Sequence, residues 1–304
     1  MEYRYPIKIF YNYILTAIER DYSVGIKEHL VAIQNGLIKP DIAVIPGIPL
    51  KRTPYADLKT RKIFFYESYY GFLWTAIYFL FTAYEKYYIP ISNAKFKHEP
   101  VSSVPITEEL QNAHRLFLWG LSLKDNYSDW PEQILKVDPS NPWHGKITHL
   151  WVRAIVFVFY HEYAHLTLNH SYPVNIDMEK EADAFAMELF YSENNGGEPM
   201  EIHNILGAVS ALTTNLFLVS NIQGIRQDSH PDLDVRIDNL CRKLKFTDPG
   251  QEYYFKTFPA FAASIFFRII GNLDINFGRE VKTPNEFWDR CLEQFDKIKI
   301  PNNN

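Results

Sequence analysis

The sequence predicts a mainly α protein: a single compact helical domain over residues 1–304 with at most a small strand element. Three observations favour this class. Hydrophobic residues make up 47% of the 304 residues, which is ample for a core. Most of the chain divides into segments whose apolar residues follow the 3.6-residue helical period. No internal repeat, low-complexity block or linker separates these segments, which favours one domain.

The N-terminal region is predicted to hold two helices and one extended segment. Residues 7–20 and 24–34 have helical patterns, with Ser23 as a candidate N-cap and Gly36 after the second helix. Residues 41–50 read DIAVIPGIPL, in which proline and glycine interrupt β-branched residues. This pattern favours a short edge strand or an extended loop.

A long aromatic helix is predicted at about residues 58–88, in a chain with 16% aromatic residues. Residues 68–84 carry no charge, which raises the alternative of a membrane span. These 17 residues are fewer than a span requires and include Gly71, so a buried helix is the better interpretation. Residues 204–224 are also uncharged, but their amide and hydroxyl side chains favour a core helix.

The remaining elements are predicted as helices and loops. Residues 90–105 are expected to be irregular, and Thr107 begins a helix that runs to about Leu121. Residues 125–145 are rich in Asp, Asn, Ser, Pro and Trp, which indicates a loop long enough to be functional. The helices predicted after the motif region lie at residues 201–222, 232–244, 253–270 and 284–297.

The functional interpretation depends on residues 150–166, which contain the motif His161-Glu162-x-x-His165. The residues that precede the motif are almost all apolar, and Arg153 is the charged residue among them. Histidines four residues apart project from one helical face and can bind one metal ion. A carboxylate at Glu162 can accept a proton from a metal-activated water, which is the general-base role in zinc proteases. A carboxylate in a buried helix is costly unless a partner or a metal compensates it.

A second helical segment downstream contains the candidate third ligand. A catalytic zinc site uses three protein ligands and keeps one open position, and Glu179 is the leading choice. Asp183 lies one turn further and would accept the second ring N–H of a ligating histidine. Glu181 is the next choice for the third ligand, and Asp183 is the third choice. The predicted cofactor is one Zn²⁺ per chain.

Two further histidines and an arginine are candidates for a role in the site. His170 follows His165 by five residues and does not share its helical face, so it is interpreted as a helix-end histidine. His230 either donates to the oxyanion formed during peptide hydrolysis or belongs to an ordinary N-cap turn at residues 229–231. Arg236 either orients His230 or the substrate backbone, or forms a structural ion pair, which is the favoured interpretation.

Charge and cysteine content limit the functional classes. The formal net charge is -5, the isoelectric point is near 6.1, and no concentrated basic face is present, so nucleic acid is not an expected partner. Cys241 and Cys291 are too few for a disulfide framework and are interpreted as buried small hydrophobes. No leader-like segment opens the chain, and the mean hydropathy is -0.22. A cytoplasmic location is therefore expected, and a membrane is not an expected partner.

The motif His161-Glu162-x-x-His165 followed by Glu179-x-x-x-Asp183 resembles the gluzincin metallopeptidases. The resemblance implies a zincin-type pair of active-site helices at the centre of the fold. It also implies that Glu179 is the third zinc ligand and that Asp183 supports a ligand histidine.

Other segments resemble further peptidase groups. Residues 181–186 are similar to the E-A-D-x-x-A segment of helical CAAX-processing peptidases, and residues 229–237 to their S-H-P-x-x-x-x-R-I segment. In chain size and zinc motif the protein also resembles phage-exclusion peptidases of the Lit type, which as a family cleave a translation elongation factor in infected bacteria. The matched residues lie within 161–237, and the expected active-site core spans about 147–245.

The function predicted from the sequence is a zinc-dependent endopeptidase with Glu162 as general base and a protein or peptide as substrate. A regulatory protein or an activating peptide is a further candidate partner. Two alternatives remain open. One is a non-catalytic metal-binding interaction module, and the other is an integral-membrane peptidase.

Overall fold

The computed structural model describes residues 5–21, 41–50, 53–96, 105–192, 200–226, 231–243, 249–273 and 283–299. These residues form a mainly helical structure with a small three-stranded sheet, which confirms the predicted fold class. The helix expected at residues 24–34 and the candidate residue His230 lie outside the described residues.

The helices are bounded as follows. The α-helices are α1 (Tyr11–Asp21), α2 (Glu67–Ala83), α3 (Ile89–Phe96), α4 (Glu108–Ser122), α5 (Pro142–Thr167), α6 (Ile176–Ser192), α7 (Met200–Asn215), α8 (Leu233–Lys243), α9 (Pro249–Ile269) and α10 (Pro284–Lys299). The shorter helical segments are the 3-10 turns Pro6–Phe10, Leu216–Leu218 and Ile222–Ile225 and the π-helical turn Tyr84–Tyr88.

The chain divides into two compact units. Unit 1 comprises Met1–Ala83 and Ser103–Ala211, and unit 2 comprises Tyr84–Ser102 and Leu212–Asn304. The expectation of a single domain stays a prediction. All the described candidate site residues from His161 to Asp183 belong to unit 1.

One strand of the small sheet, at residues 62–66, lies where the sequence predicts part of a helix. The strands of the sheet are β1 (Asp41–Ile45), β2 (Tyr55–Asp57) and β3 (Lys62–Tyr66) in the order β1-β3-β2. Strand β1 is parallel to β3 and β2 is antiparallel to it. The expected edge strand in residues 41–50 is therefore confirmed.

The aromatic helix begins nine residues later than expected, at Glu67 rather than near Leu58. The residues of β3, KIFFY, are apolar enough for either structure, and Arg61 adopts a left-handed φ of 53° that turns the chain between β2 and β3. The second wrong boundary is at residues 90–105, where Ile89–Phe96 is helical rather than irregular.

Helix α2 is the centre of unit 1, since each of its residues is buried. Indole hydrogen bonds tie it to α5: Trp74 donates to the Thr148 hydroxyl at 3.2 Å. Trp151 in turn donates to the Tyr70 carbonyl at 3.1 Å. Buried indole N–H groups need such acceptors. The tryptophans therefore fill the space between α2 and α5 and also fix how the two helices are oriented.

The two uncharged stretches of the sequence are only partly α-helical: the helix predicted to run to residue 222 ends at Asn215, and 3-10 turns follow at Leu216–Leu218 and Ile222–Ile225. Residues 68–83 belong to α2, and residues 204–215 belong to α7. Among the helices that the structure describes, none has both the length and the apolar character that crossing a membrane requires.

Unit 2 contains a partly buried hydrogen bond from a tyrosine to a carboxylate, and two buried thiols. The Tyr254 hydroxyl donates to the Glu85 carboxylate at 2.6 Å. Cys241 and Cys291 are both free and buried, and burial raises the pKa of each thiol. Their interpretation as buried small hydrophobes is confirmed.

Helices α5 and α7 approach closely where glycine is required. A Cβ atom placed on Gly207 would lie 2.5 Å from the Cβ of Arg153 and 2.9 Å from its carbonyl carbon. A backbone carbonyl carbon cannot rotate away as a side chain can. The separation of the two helices therefore depends on the absence of a side chain at residue 207.

The replacement Gly207→Ala is expected to lower the free energy of unfolding by about 1–3 kcal/mol, because the added methyl group overpacks the contact with α5. Gly145→Ala is the matched control, since nothing lies within 4 Å of that Cβ position on an exposed part of α5. The control should be neutral or stabilise the protein by roughly 0.5–1 kcal/mol through helix propensity. Chemical denaturation measures both, and equal effects of the two replacements would contradict the close contact.

Candidate active site

Helix α5 carries three of the candidate residues at its buried C-terminal end. The helix starts at Pro142, and the Asn141 side chain accepts hydrogen bonds from the N–H groups of Trp143 and His144. His161, Glu162 and His165 are each less than a tenth exposed. A long, well-capped helix therefore brings polar groups into a region where few waters can reach them.

The C-terminus of α5 ends in a Schellman motif. Asn169 has a left-handed φ of 55°, and the N–H of His170 donates to the carbonyl oxygen of His165 at 3.1 Å. Arg61 also donates to the carbonyl of Leu166 at 3.1 Å. These contacts satisfy helix-end carbonyls and turn the chain back so that His170 lies beside His165.

Helix α6 begins with a side-chain cap. The Asn175 carboxamide accepts from the N–H groups of Asp177 and Met178, each at 3.0 Å. This start places Glu179 near the positive N-terminal end of the helix, which favours a carboxylate there. Glu179 is 2% exposed, and its side chain faces α5.

The side chains of His161, His165 and Glu179 converge on one point. The Nε2 atoms of the two histidines are 3.4 Å apart. The Glu179 Oε2 atom is 3.1 Å from the His161 Nε2, and its Oε1 atom is 3.5 Å from the His165 Nε2. Within the described part of the chain, these residues form the buried group whose ligand atoms could hold a metal ion.

Asp183 lies on the other side of the His161 ring. Its Oδ1 atom is 3.0 Å from the His161 Nδ1, so a ring that donates from Nδ1 to Asp183 would present its Nε2 lone pair toward Glu179. The side chain predicted to orient a ligand histidine is thus in position to do so.

His170 and Glu181 have contacts that the sequence interpretation missed. The His170 Nδ1 lies 2.8 Å from the His165 Nδ1, and its Nε2 lies 3.1 Å from the Glu181 Oε2. His170 does follow the end of the helix, as expected, but its ring packs against His165. The signal that could have found this contact is Asn169, a residue tolerant of the left-handed conformation that precedes a returning chain.

The Glu162 carboxylate is held by the sheet. Its Oε2 atom accepts a hydrogen bond from the backbone N–H of Ala56 at 2.8 Å. The Tyr172 hydroxyl donates to the Ala56 carbonyl at 3.3 Å. Residues 55–57 are not predicted as a strand from the sequence, so these contacts are a finding of the structure alone.

Two further candidate residues, His230 and Arg236, are not part of this cluster as the structure describes it. His230 lies outside the described residues, and Arg236 lies in α8 of unit 2. Their proposed roles stay predictions.

Two histidines and a glutamate that converge from adjoining helices, with a second glutamate next to the first histidine, define a candidate hydrolytic centre. Residues 63–256 match the family Peptidase U49. The chain therefore belongs to this peptidase family, which supports a proteolytic function. The matched stretch includes α5 and α6 in full. No curated protein and no solved structure matches the chain.

Asn169 offers a direct test of how α5 ends. Its side chain is exposed, so replacements act mainly through the backbone. Asn169→Gly should retain stability because glycine adopts a positive φ without steric cost. Asn169→Val should lower the free energy of unfolding by about 1–2 kcal/mol because a β-branched residue is strained there. Chemical denaturation of both variants checks this, and a valine variant as stable as the glycine variant would refute the motif.

Proposed function

We propose that the protein is a zinc-dependent endopeptidase whose metal ligands are His161, His165 and Glu179. The observation that carries this proposal is the close approach of the three side chains, whose facing nitrogen and oxygen atoms are 3.1–3.5 Å apart. Tetrahedral zinc with nitrogen and oxygen ligands at about 2.0–2.2 Å places neighbouring ligand atoms about 3.3–3.5 Å apart. The three side chains therefore fit a zinc ion with little rearrangement.

The chemistry of the three ligand groups also supports a cation. An imidazole nitrogen that binds a metal presents a lone pair, and an ionised carboxylate presents only lone pairs. Facing lone pairs repel each other, and burial strengthens that repulsion. A divalent cation shared by all three groups removes the repulsion and offsets the cost of burying the Glu179 carboxylate.

Glu162 is the proposed general base. A bound zinc ion would polarise the scissile carbonyl and lower the pKa of the attacking water. Glu162 takes the proton from that water and delivers it to the leaving amine. The Ala56 N–H holds one carboxylate oxygen and so orients the group. His230 is the proposed oxyanion donor, and protein or peptide chains are the proposed substrates.

We assign the site to the gluzincin type, because Glu179 and Asp183 lie one turn apart on α6 and contact opposite sides of the His161 ring. We also propose that each chain binds one zinc ion and that the protein is cytoplasmic. We further propose that it is related to the Lit-type or the CAAX-processing peptidases. A regulatory protein or an activating peptide is a further proposed partner.

The replacement Glu162→Gln tests the base. It should lower proteolysis by at least about 100-fold, because the amide cannot accept the proton, while zinc stays bound. The measurement is the appearance of new protein termini in cells that express wild type or variant, beside zinc content of the purified proteins. Glu188→Gln, on an exposed face of α6, is the control and should keep full activity. Retained proteolysis in Glu162→Gln would refute the base assignment.

Metal content tests the ligands. Wild type is expected to bind about one zinc per chain, and His161→Ala should lose most of it, because a three-ligand site depends on each ligand. Chelator treatment should abolish proteolysis, and added zinc should restore it. His149→Ala is the control, since His149 is an exposed histidine on the same helix. Undiminished zinc in His161→Ala would refute the ligand set.

A further inference from the structure

We propose that His170 is a positioning residue for the zinc site: it accepts a hydrogen bond from His165, and Glu181 fixes it in the orientation that makes this possible. This inference rests on the proposed function, because it treats His165 as a zinc ligand. It adds two residues to the site that the metal-binding motif does not contain.

The ring protons of His165 and His170 can be assigned one after the other, starting from the proposed zinc site. The His165 Nε2 faces Glu179 and His161, so as a ligand it presents a lone pair and the ring carries its proton on Nδ1. That Nδ1–H points at the His170 Nδ1, 2.8 Å away, which must then be the acceptor. A neutral His170 consequently carries its proton on Nε2.

The last hydrogen bond of this series is made to the Glu181 carboxylate. The His170 Nε2–H donates to the Glu181 Oε2, 3.1 Å away. Each donor therefore meets an acceptor, with no unfavourable pair of facing donors or acceptors along the series. An imidazole that accepts the N–H of a ligand histidine makes that ligand more basic and holds its ring plane.

The two ligand histidines are thus supported in parallel ways by one helix. His161 donates directly to Asp183, whereas His165 reaches Glu181 through His170. Glu179 faces the ligand cluster between them. Glu179, Glu181 and Asp183 of α6 therefore contact, between them, His161, His165 and His170.

The backbone holds His170 in place before any metal binds. Its N–H donates to the His165 carbonyl at 3.1 Å, so the same pair of residues is bonded through backbone and through side chains. The His170 side chain is 4% exposed and that of Glu181 is 65% exposed. Water screens an exposed carboxylate, so loss of Glu181 should matter less than loss of His170.

The test compares zinc affinity in competition with a chelator, together with the visible absorption of the Co²⁺-substituted proteins. His170→Leu should weaken zinc binding about 10–100-fold, the usual effect of removing a hydrogen-bond partner of a ligand histidine. Glu181→Ala should weaken it by a smaller factor. The matched controls are His149→Leu and Glu188→Ala, and both should bind zinc as wild type does.

His170→Asn distinguishes hydrogen bonding from packing. The asparagine Oδ1 can occupy the place of the His170 Nδ1 and accept from His165, so this variant should bind zinc more tightly than His170→Leu. Its Co²⁺ absorption should also lie closer to that of wild type. If packing alone mattered, the bulkier, apolar leucine would be the better substitute, and that order would overturn the proposal.

The remaining outcomes separate this inference from the proposed function. One outcome is that His161→Ala loses zinc binding, whereas His170→Leu keeps wild-type zinc affinity and an unchanged Co²⁺ spectrum. This outcome would overturn the role of His170 alone. A wild-type protein that binds no zinc would overturn the proposed function and the inference with it.

Discussion

The convergence of His161, His165 and Glu179 in a buried space is the constraint on which the rest of unit 1 depends. The facing atoms of these side chains are 3.1–3.5 Å apart, so helices α5 and α6 must be held at a fixed separation. The structure does this at the helix ends. Asn175 caps the start of α6, and the Schellman motif at Asn169 ends α5. The site is therefore positioned by terminal hydrogen bonds as well as by packing.

The small sheet contributes more to the site than its size suggests. Strand β2 contacts α5 through the Ala56 N–H on Glu162, and the turn after β2 contacts it through the Arg61 guanidinium on the Leu166 carbonyl. A helix alone leaves a glutamate side chain free to adopt several rotamers. A backbone N–H from a strand restricts that freedom, which suits the general-base role proposed for Glu162.

Two errors in the predicted elements have separate physical origins. The stretch from Lys62 to Tyr66 is apolar and aromatic, and short runs of this kind fit a strand or a buried helix equally well. Pairing with β1 and β2 decides between them. Ile89–Phe96 is helical despite Pro90, because proline is tolerated in the first turn of a helix.

The helical class, the Thr107 cap and the four-residue spacing of His161 and His165 could be predicted from the sequence, because helix periodicity and capping act over a few residues. The sequence also favoured Glu179 among the acidic residues of α6. The contact between Ala56 and Glu162, which are 106 residues apart, is decided only when the chain folds. The pairing of His170 with His165 and Glu181 was decided in the same way, by how the chain returns after α5. Such contacts depend on how segments meet in space, and residue spacing carries no information about that.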